Sequence, residues 1–195
     1  KPSGSDNPLI TVVLDSVSRG EDARNELAAE GSASFLRKLF EELGFDMSRV
    51  RWSPATRCYG GAQKQNFSTK GNWCRHFLVD DLLRHPPKLI IPIGTAALGL
   101  LCHKSSAQDW GGKLLTYRGW PDDWLTDKEF CGETAEVAKA DRICGHPLFG
   151  PPLGVQGRIP MVPLQAPRMI YGTPNPHVIN KWKEEVEFAH ECATQ

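Results

Sequence analysis

Residues 68–102, STKGNWCRHFLVDDLLRHPPKLIIPIGTAALGLLC, decide the fold of this chain. An apolar stripe at helical spacing predicts a helix that contains Cys74, Phe77, Leu78 and Leu82. Two prolines end that helix, because proline has no amide hydrogen and clashes with the preceding turn. The apolar run 89–93 then predicts a strand that is covered on both faces, with Ile90 and Ile91 fully buried. Gly94-Thr95 follows as a turn, and a second helix opens with Ala96-Ala97-Leu98.

The same alternation of strand and helix continues on both sides of this stretch. Further strands are predicted near 9–14, 49–53 and 159–164, with an amphipathic helix over 32–43 that ends at Gly44. Asn175-Pro176 reads as the start of a last helix. Its inward positions are predicted to be Val178, Ile179, Trp182, Val186 and Ala189, and its water-facing ones Glu184, Glu185, Glu187 and Glu191. We therefore expect an α/β fold, a three-layer α/β/α arrangement with a mostly parallel four-stranded central sheet.

The chain length favours one domain over residues 1–195, interrupted by an irregular insertion at 104–157. That insertion is rich in glycine, proline and tryptophan, and 114–117 within it could form a strand. A structureless loop of such length is unusual in a compact domain, so local structure or a functional lid is expected there.

Composition and charge exclude several classes of protein. The chain has 23 basic and 23 acidic residues, which argues against coating nucleic acid by bulk charge but allows a local basic groove. No apolar run approaches the roughly 20 residues of a membrane helix, so no membrane partner is expected. Six cysteines without regular pairing favour a reducing compartment, and hence a cytoplasmic location.

Three features of the predicted loops carry chemistry. Asp15 follows the first strand, where it is either a general base or a loop aspartate that caps a turn. The Gly94-Thr95 helix terminus is suited to an anionic group, because free backbone amides point outward there. A phosphate-facing patch, or equally a solvated strand edge, is predicted for Arg49, Arg51, Arg57, Arg75 and His76.

The order of these elements resembles the uracil-DNA glycosylase superfamily, especially its iron–sulfur branch, family four. The best part of the resemblance runs from Cys58 through Cys74 to the strand and glycine at 87–94. Glu21-Asp22 and the segment 31–34 also fall in register. The resemblance implies the α/β fold named above, binding to DNA, and a role in repair or replication, with a repair or replication protein as a further partner.

The resemblance also implies where the active-site residues lie, and the sequence departs from the family there. The first motif falls on 14–18, where Asp15 is the only chemically similar residue, and Ser16 after it is a candidate to bind DNA or a ligand. The base-stacking aromatic falls near Ala29, the base-reading asparagine on Pro54, and the histidine of the last motif on Ala166. Excision needs stacking, edge reading and stabilisation of the leaving base together. We therefore expect base excision to be lost or altered.

The resemblance implies a [4Fe–4S] cluster held by four cysteines, of which Cys58 and Cys74 match. In the family the other two precede the first strand, but no cysteine precedes Cys58 here. Either an upstream pair lies outside this sequence, or Cys131 and Cys144 complete a different site. Buried thiols and disulfides are the alternatives.

Three functions compete at this point. The first is a DNA glycosylase for a modified base, with Asp15 positioning water. The second is a silent glycosylase-like module that binds DNA or a protein partner, through the arginines near 49–57 and through Arg168 in the loop 165–173. The third is a nucleotide or small-ligand binding protein that uses the Gly94-Thr95 helix terminus. Net neutrality and the altered motifs favour the second.

Overall fold

In the part of the chain that the structure describes, six strands form a mixed sheet in the order β1-β3-β2-β4-β6-β5. The computed structural model describes residues 2–24, 27–28, 31–56, 77–102, 106–117, 159–167 and 176–194. The strands are β1 Ser3–Gly4, β2 Ile10–Leu14, β3 Val50–Pro54, β4 Leu89–Ile93, β5 Leu115–Tyr117 and β6 Ile159–Met161. The helices are α1 Arg19–Arg24, α2 Gly31–Glu42, α3 with described residues 77–84, α4 Thr95–Cys102, α5 Ala107–Trp110 and α6 Pro176–Thr194.

The predicted α/β class is confirmed, and the sheet is larger than predicted. Strand β2 pairs in parallel with both β3 and β4, and β4 pairs in parallel with β6. Two short strands add antiparallel edges, β1 beside β3 and β5 beside β6. The bridge between Ile93 and Leu164 extends the parallel pairing beyond β6. The predicted strand at 114–117 is therefore present, as an edge strand.

Alternate side chains of the central strands enter two separate hydrophobic clusters. Val12, Leu89 and Ile91 pack with the apolar faces of α2 and α6. Val13 and Ile90 pack with residues of α3, α4 and β5. Both Ile90 and Ile91 have 0% exposure, as predicted, because the period-two alternation of a strand sends neighbouring side chains into opposite clusters.

The helix periodicities were largely correct, with two exceptions. Helix α2 buries Leu36, Leu39 and Phe40, and Gly44 behind it has φ +80°, as a left-handed helix end requires. Phe77 was predicted to lie on the inward stripe of α3 but is 38% exposed. Glu185 was predicted to face water but is buried, because it lies one turn after Trp182 on the face of α6 that packs inward.

The predicted arginine patch is also corrected, because Arg51 points into the protein. Its Nε and Nη2 atoms donate to the carboxylate of Asp81 on α3 at distances between 2.7 and 3.2 Å. Its Nη1 atom donates to the carbonyl oxygen of Ser5 at 2.9 Å. Both charged side chains are more than nine-tenths buried. Arg51 therefore joins the amino-terminal segment, β3 and α3, and is not available to a phosphate.

We predict that Asp81→Ala destabilises the protein by about 3–5 kcal/mol, because it removes the buried carboxylate partner of Arg51 and leaves the guanidinium with the exposed carboxylate of Asp6 at 3.4 Å. Asp80→Ala is the matched control, since its partner Arg84 forms an exposed pair at 3.0 Å. Asp80→Ala should lower the free energy of unfolding by less than about 1 kcal/mol. Urea unfolding of both variants gives the comparison. Equal costs would show that the buried pair contributes no more than the exposed one.

Candidate functional site at the carboxyl edge of the sheet

The loops that follow the parallel strands meet at one edge of the sheet. The amide of Ala55 donates to the carbonyl oxygen of Leu14 at 2.7 Å, which joins the ends of β3 and β2. The amide of Gly94 donates to the carbonyl oxygen of Leu164 at 2.8 Å, which joins the end of β4 to the loop after β6. Ligands of open α/β sheets bind at this edge, so the predicted loops lie in the expected place.

Asp15 lies at the centre of this edge and caps a helix. Its Oδ1 atom accepts a hydrogen bond from the backbone amide of Ala97 at 2.8 Å. Ala97 is in the first turn of α4, where amides lack partners within the helix and the dipole favours a negative charge. Asp15 thus caps α4, the helix that follows the adjacent strand β4, and not a turn in its own loop. Its role as a general base stays a prediction.

Gly94 explains why the carboxylate of Asp15 fits so closely. Gly94 has φ +90°, and a Cβ atom built on it would collide with the carboxyl carbon of Asp15 at 2.7 Å and with both carboxylate oxygens. A side chain is thus excluded by both the backbone conformation and the space. The carboxylate occupies the volume above the turn that the sequence analysis assigned to an anionic ligand.

Two hydroxyl side chains lie at the same edge on the solvent side. Ser16 and Thr95 are both exposed. The Oγ1 atom of Thr95 also accepts from the amide of Ala107 at 3.4 Å, a long hydrogen bond. A third hydroxyl, that of Thr56, donates to the carbonyl oxygen of Asp15 at 3.2 Å and is buried. Ser16 and Thr95 are therefore the described hydroxyls that could contact a phosphate.

Pro54 and Ala166 offer this edge no polar side chain. Pro54 is the last residue of β3, buried and in register with Leu14. Ala166 is half-buried and packs against the cluster that contains Trp182. The Nε1 atom of Trp182 donates to the carbonyl oxygen of Gln165 at 3.1 Å, which ties this loop to α6. The two positions thus contribute packing at the edge.

A buried carboxylate that the sequence analysis missed organises the loop after Asp15. The amide of Ser18 donates to Glu21 at 2.9 Å, and the amide of Glu21 donates to the hydroxyl of Ser18 at 3.1 Å. Glu21 also accepts from the amide of Ala28 at 2.7 Å. Ala28 has φ 55°, which is unusual for a residue with a side chain. The signal was present as Ser-x-x-Glu, the capping-box pattern, at residues 18–21.

Several predicted site residues lie outside the described residues: Arg57, Arg168, Ala29, Cys58 and Cys74. Their predicted roles stay predictions, including the proximity of Cys58 to Cys74. Among the residues that the structure describes, no three or more His, Cys, Asp or Glu side chains gather as a metal site would require. Cys192 on α6 is a free, half-buried thiol, and burial raises its pKa.

Comparisons with known proteins leave this chain without an assigned family. No family model matches it, and no curated protein matches its sequence. Within the described ranges, every helix is too short or too polar to cross a membrane.

We predict that Gly94→Ala destabilises the protein more than Gly44→Ala does. Both glycines have positive φ, which costs a residue with a side chain about 1–2 kcal/mol. A Cβ on Gly44 meets nothing within 4 Å, whereas a Cβ on Gly94 meets the carboxylate of Asp15. Overpacking should add about 1–3 kcal/mol at Gly94.

A double-mutant cycle with Asp15→Ala separates the two costs. In that background, Gly94→Ala should cost about as much as Gly44→Ala does in the wild type, since the colliding carboxylate is gone. The free energies of unfolding in urea give the coupling energy. A coupling energy near zero would contradict the close packing of Asp15 on Gly94.

Proposed function

We propose that this protein is a uracil-DNA glycosylase-like DNA-binding protein of DNA repair or replication in which base excision is lost or altered. The observation that carries this proposal is the state of Asp15. Its carboxylate is hydrogen-bonded to the first turn of α4 and packed on Gly94. One carboxylate oxygen is thus already engaged by a backbone amide, which leaves the group less able to position and activate a water.

The neighbouring positions support the loss of excision. Extrusion and cleavage of a base require groups that read its edge and stabilise the departing anion. Pro54 and Ala166, which occupy the equivalent positions in the resemblance, have no side-chain donor or acceptor. Removal of one donor to a developing anion commonly costs about 10²–10³ in rate. The effects need not add, but each lowers the excision rate.

The polar groups left at the edge suit the DNA backbone better than a base. Ser16 and Thr95 present exposed hydroxyls, and the loops beyond β3 and β6 carry Arg57 and Arg168 in the sequence. Hydroxyls and guanidinium groups are common phosphate ligands in protein–DNA complexes. A local patch of this kind is compatible with equal numbers of acidic and basic residues in the whole chain.

The remaining parts of the proposal follow from the resemblance and the composition. They are a three-layer glycosylase-like arrangement, a repair or replication protein as partner, a cytoplasmic location, and a [4Fe–4S] cluster that uses Cys58 and Cys74. Apolar clusters on opposite sides of the central strands support the layered arrangement. The location rests on six cysteines without a pairing pattern.

The two alternatives fare differently. A nucleotide phosphate bound on the backbone amides of the Gly94-Thr95 terminus would need the place that the carboxylate of Asp15 already occupies, so the geometry counts against a nucleotide site on those amides. The hydroxyl of Thr95 is exposed and lies outside that place. A glycosylase for a modified base retains one favourable observation. Asp15 is only partly buried and lies next to the exposed Ser16, so a substrate could reach it.

We predict no excision of uracil by the wild-type protein. The assay is alkali cleavage of single- and double-stranded DNA that carries uracil or a panel of modified bases. Wild type, Asp15→Ala and Asp15→Asn should all stay at the level of the protein-free control. Asparagine keeps an oxygen acceptor for the amide of Ala97 but cannot take a proton. Cleavage by wild type that is absent in a folded Asp15→Asn variant would instead establish an active glycosylase.

We predict salt-dependent DNA binding through Arg57 and Arg168. Fluorescence anisotropy with a labelled oligonucleotide should show that the affinity for DNA falls as the salt concentration rises from about 50 to about 200 mM. The reason is that phosphates bound by the protein release their counterions. Arg57→Ala and Arg168→Ala should each weaken binding and reduce the salt slope by about 1.

Arg49→Ala is the matched control for these variants. Arg49 is exposed and directly precedes β3, at the end of that strand opposite to the candidate site. Its removal changes the net charge by the same amount and should leave affinity unchanged. An equal loss in Arg49→Ala would indicate non-specific charge attraction, and no binding by the wild type would refute the DNA proposal.

A further inference from the structure

Glu185 is a buried carboxylate that neither the fold nor the candidate site uses. Its side chain is 7% exposed. Within the described part of the chain, neither of its carboxylate oxygens has a hydrogen-bond partner, although both are buried. It lies on α6 beside Val186, which is fully buried in the hydrophobic cluster of that helix. A carboxylate in this setting is costly when ionised, because it has lost water without gaining donors.

A glycine turn covers this carboxylate. A Cβ atom on Gly111 would lie 3.0 Å from Oε2 and 3.2 Å from Oε1 of Glu185, and one on Gly112 would lie 2.6 Å from its Cγ atom. The backbone can approach the side chain of Glu185 this closely only because both residues of the turn are glycines. The carbonyl oxygen of Ala107 lies 3.3 Å from the same Cβ position on Gly111, so backbone and carboxylate together fill the space beside that glycine.

The turn connects the buried carboxylate to the candidate site. The amide of Gly112 donates to the carbonyl oxygen of Pro163 at 2.9 Å. The carbonyl oxygen of the next residue, Leu164, accepts a hydrogen bond from the amide of Gly94. The turn also leads into β5, an edge strand of only three residues that pairs with β6. Movement of Gly111-Gly112 would therefore occur directly beside the carboxyl edge of the sheet.

Few charges compensate Glu185. Burial raises its pKa, Lys181 lowers it, and Glu184 raises it, with burial as the largest effect. The Nζ atom of Lys181 lies 3.8 Å from Oε1, but that side chain is 66% exposed. On the covering segment the charged residues are Asp109, which is exposed, and Lys113, whose Nζ atom lies over the ring of Trp110. The segment 159–164 carries no titratable side chain.

We propose that Glu185 is a proton-sensitive latch, which holds the Gly111-Gly112 turn closed over α6 when its carboxyl is neutral and releases it when the carboxyl ionises. The neutral carboxyl can remain buried under the turn. The ionised carboxylate is stabilised by water, which reaches it when the turn and β5 move away. The latch thus makes one side of the candidate site dependent on pH.

The direction of this dependence follows from proton linkage. The closed state holds the proton more tightly than the open state, so opening releases a proton and is favoured as pH rises. The pH range over which opening depends on pH has two limits. It begins near the ordinary glutamate pKa of about 4.3, which applies in the open state, and it ends at the raised pKa of Glu185 in the closed state. Within it, the opening equilibrium should increase by up to about tenfold per pH unit, the limit for one proton.

Hydrogen exchange read by mass spectrometry on peptides that cover 111–117 tests the latch in the whole chain. After correction for the intrinsic rate, wild-type protection should fall as pH rises through this range. Glu185→Gln should retain protection, because the amide stays neutral at every pH. Glu184→Gln is the matched control, since Glu184 is exposed and adjacent. It should keep the pH dependence of wild type, with the upper end of the pH range at a lower pH because Glu184 raises the pKa of Glu185.

A second measurement keeps the test decisive if Glu185→Gln does not fold. Carbon-13 titration of the glutamate side-chain carboxyls in the wild type should show one group that titrates above the others, and it should remain in Glu184→Gln. Equal pH dependence of protection in wild type and a folded Glu185→Gln, or titration of every glutamate near its ordinary pKa, would overturn the proposal.

Discussion

The parallel pairing of β2 with both of its neighbours is the constraint on which the rest of the structure depends. Residues 10–14 are in continuous register with β3 on one side and β4 on the other. All three strands therefore end at the same level, and the loops behind them must share one edge. Asp15 and Gly94 lie 79 positions apart in the sequence, and their contact is a direct result of that register. Buried side chains on both faces make a shift of even one residue costly, since it would reverse the two apolar clusters.

Carboxylates hold the loops at this edge in ways that differ with their environment. Asp15 and Glu21 each accept hydrogen bonds from backbone amides of other segments, so their charge is compensated where they lie. Glu185 is buried without such donors, and burial raises its pKa. The first two join separate segments through directional hydrogen bonds, whereas the third, by our proposal, makes its surroundings sensitive to protonation. The edge that we propose binds DNA thus carries carboxylates held by backbone amides, and the exposed hydroxyls of Ser16 and Thr95 lie at the same edge.

Much of the fold could be predicted from local patterns, because burial has a characteristic period in strands and helices. The run 89–93 predicted a fully buried strand, and the apolar spacing over 32–43 predicted the buried face of α2. The errors fall where the partner is distant in the sequence. Arg51 looked like a surface cation, since nothing near it in the chain indicates Asp81 on α3. Glu185 looked like a surface acid, since helical spacing alone does not show that a glycine turn covers it.

The sequence by itself determined the α/β class, the places of the parallel strands and the set of strand ends and loops that carry Asp15, Pro54, Gly94 and Ala166. Those features depend on local propensity and on which side chains can be buried. Only the tertiary structure decided what the polar groups contact. The sequence around Asp15 did not indicate that its carboxylate accepts a hydrogen bond from the first turn of α4. The physical reason is that hydrogen bonds and ion pairs are short-range and directional, so their partners are fixed by the packing of whole elements and leave no periodic trace in the chain.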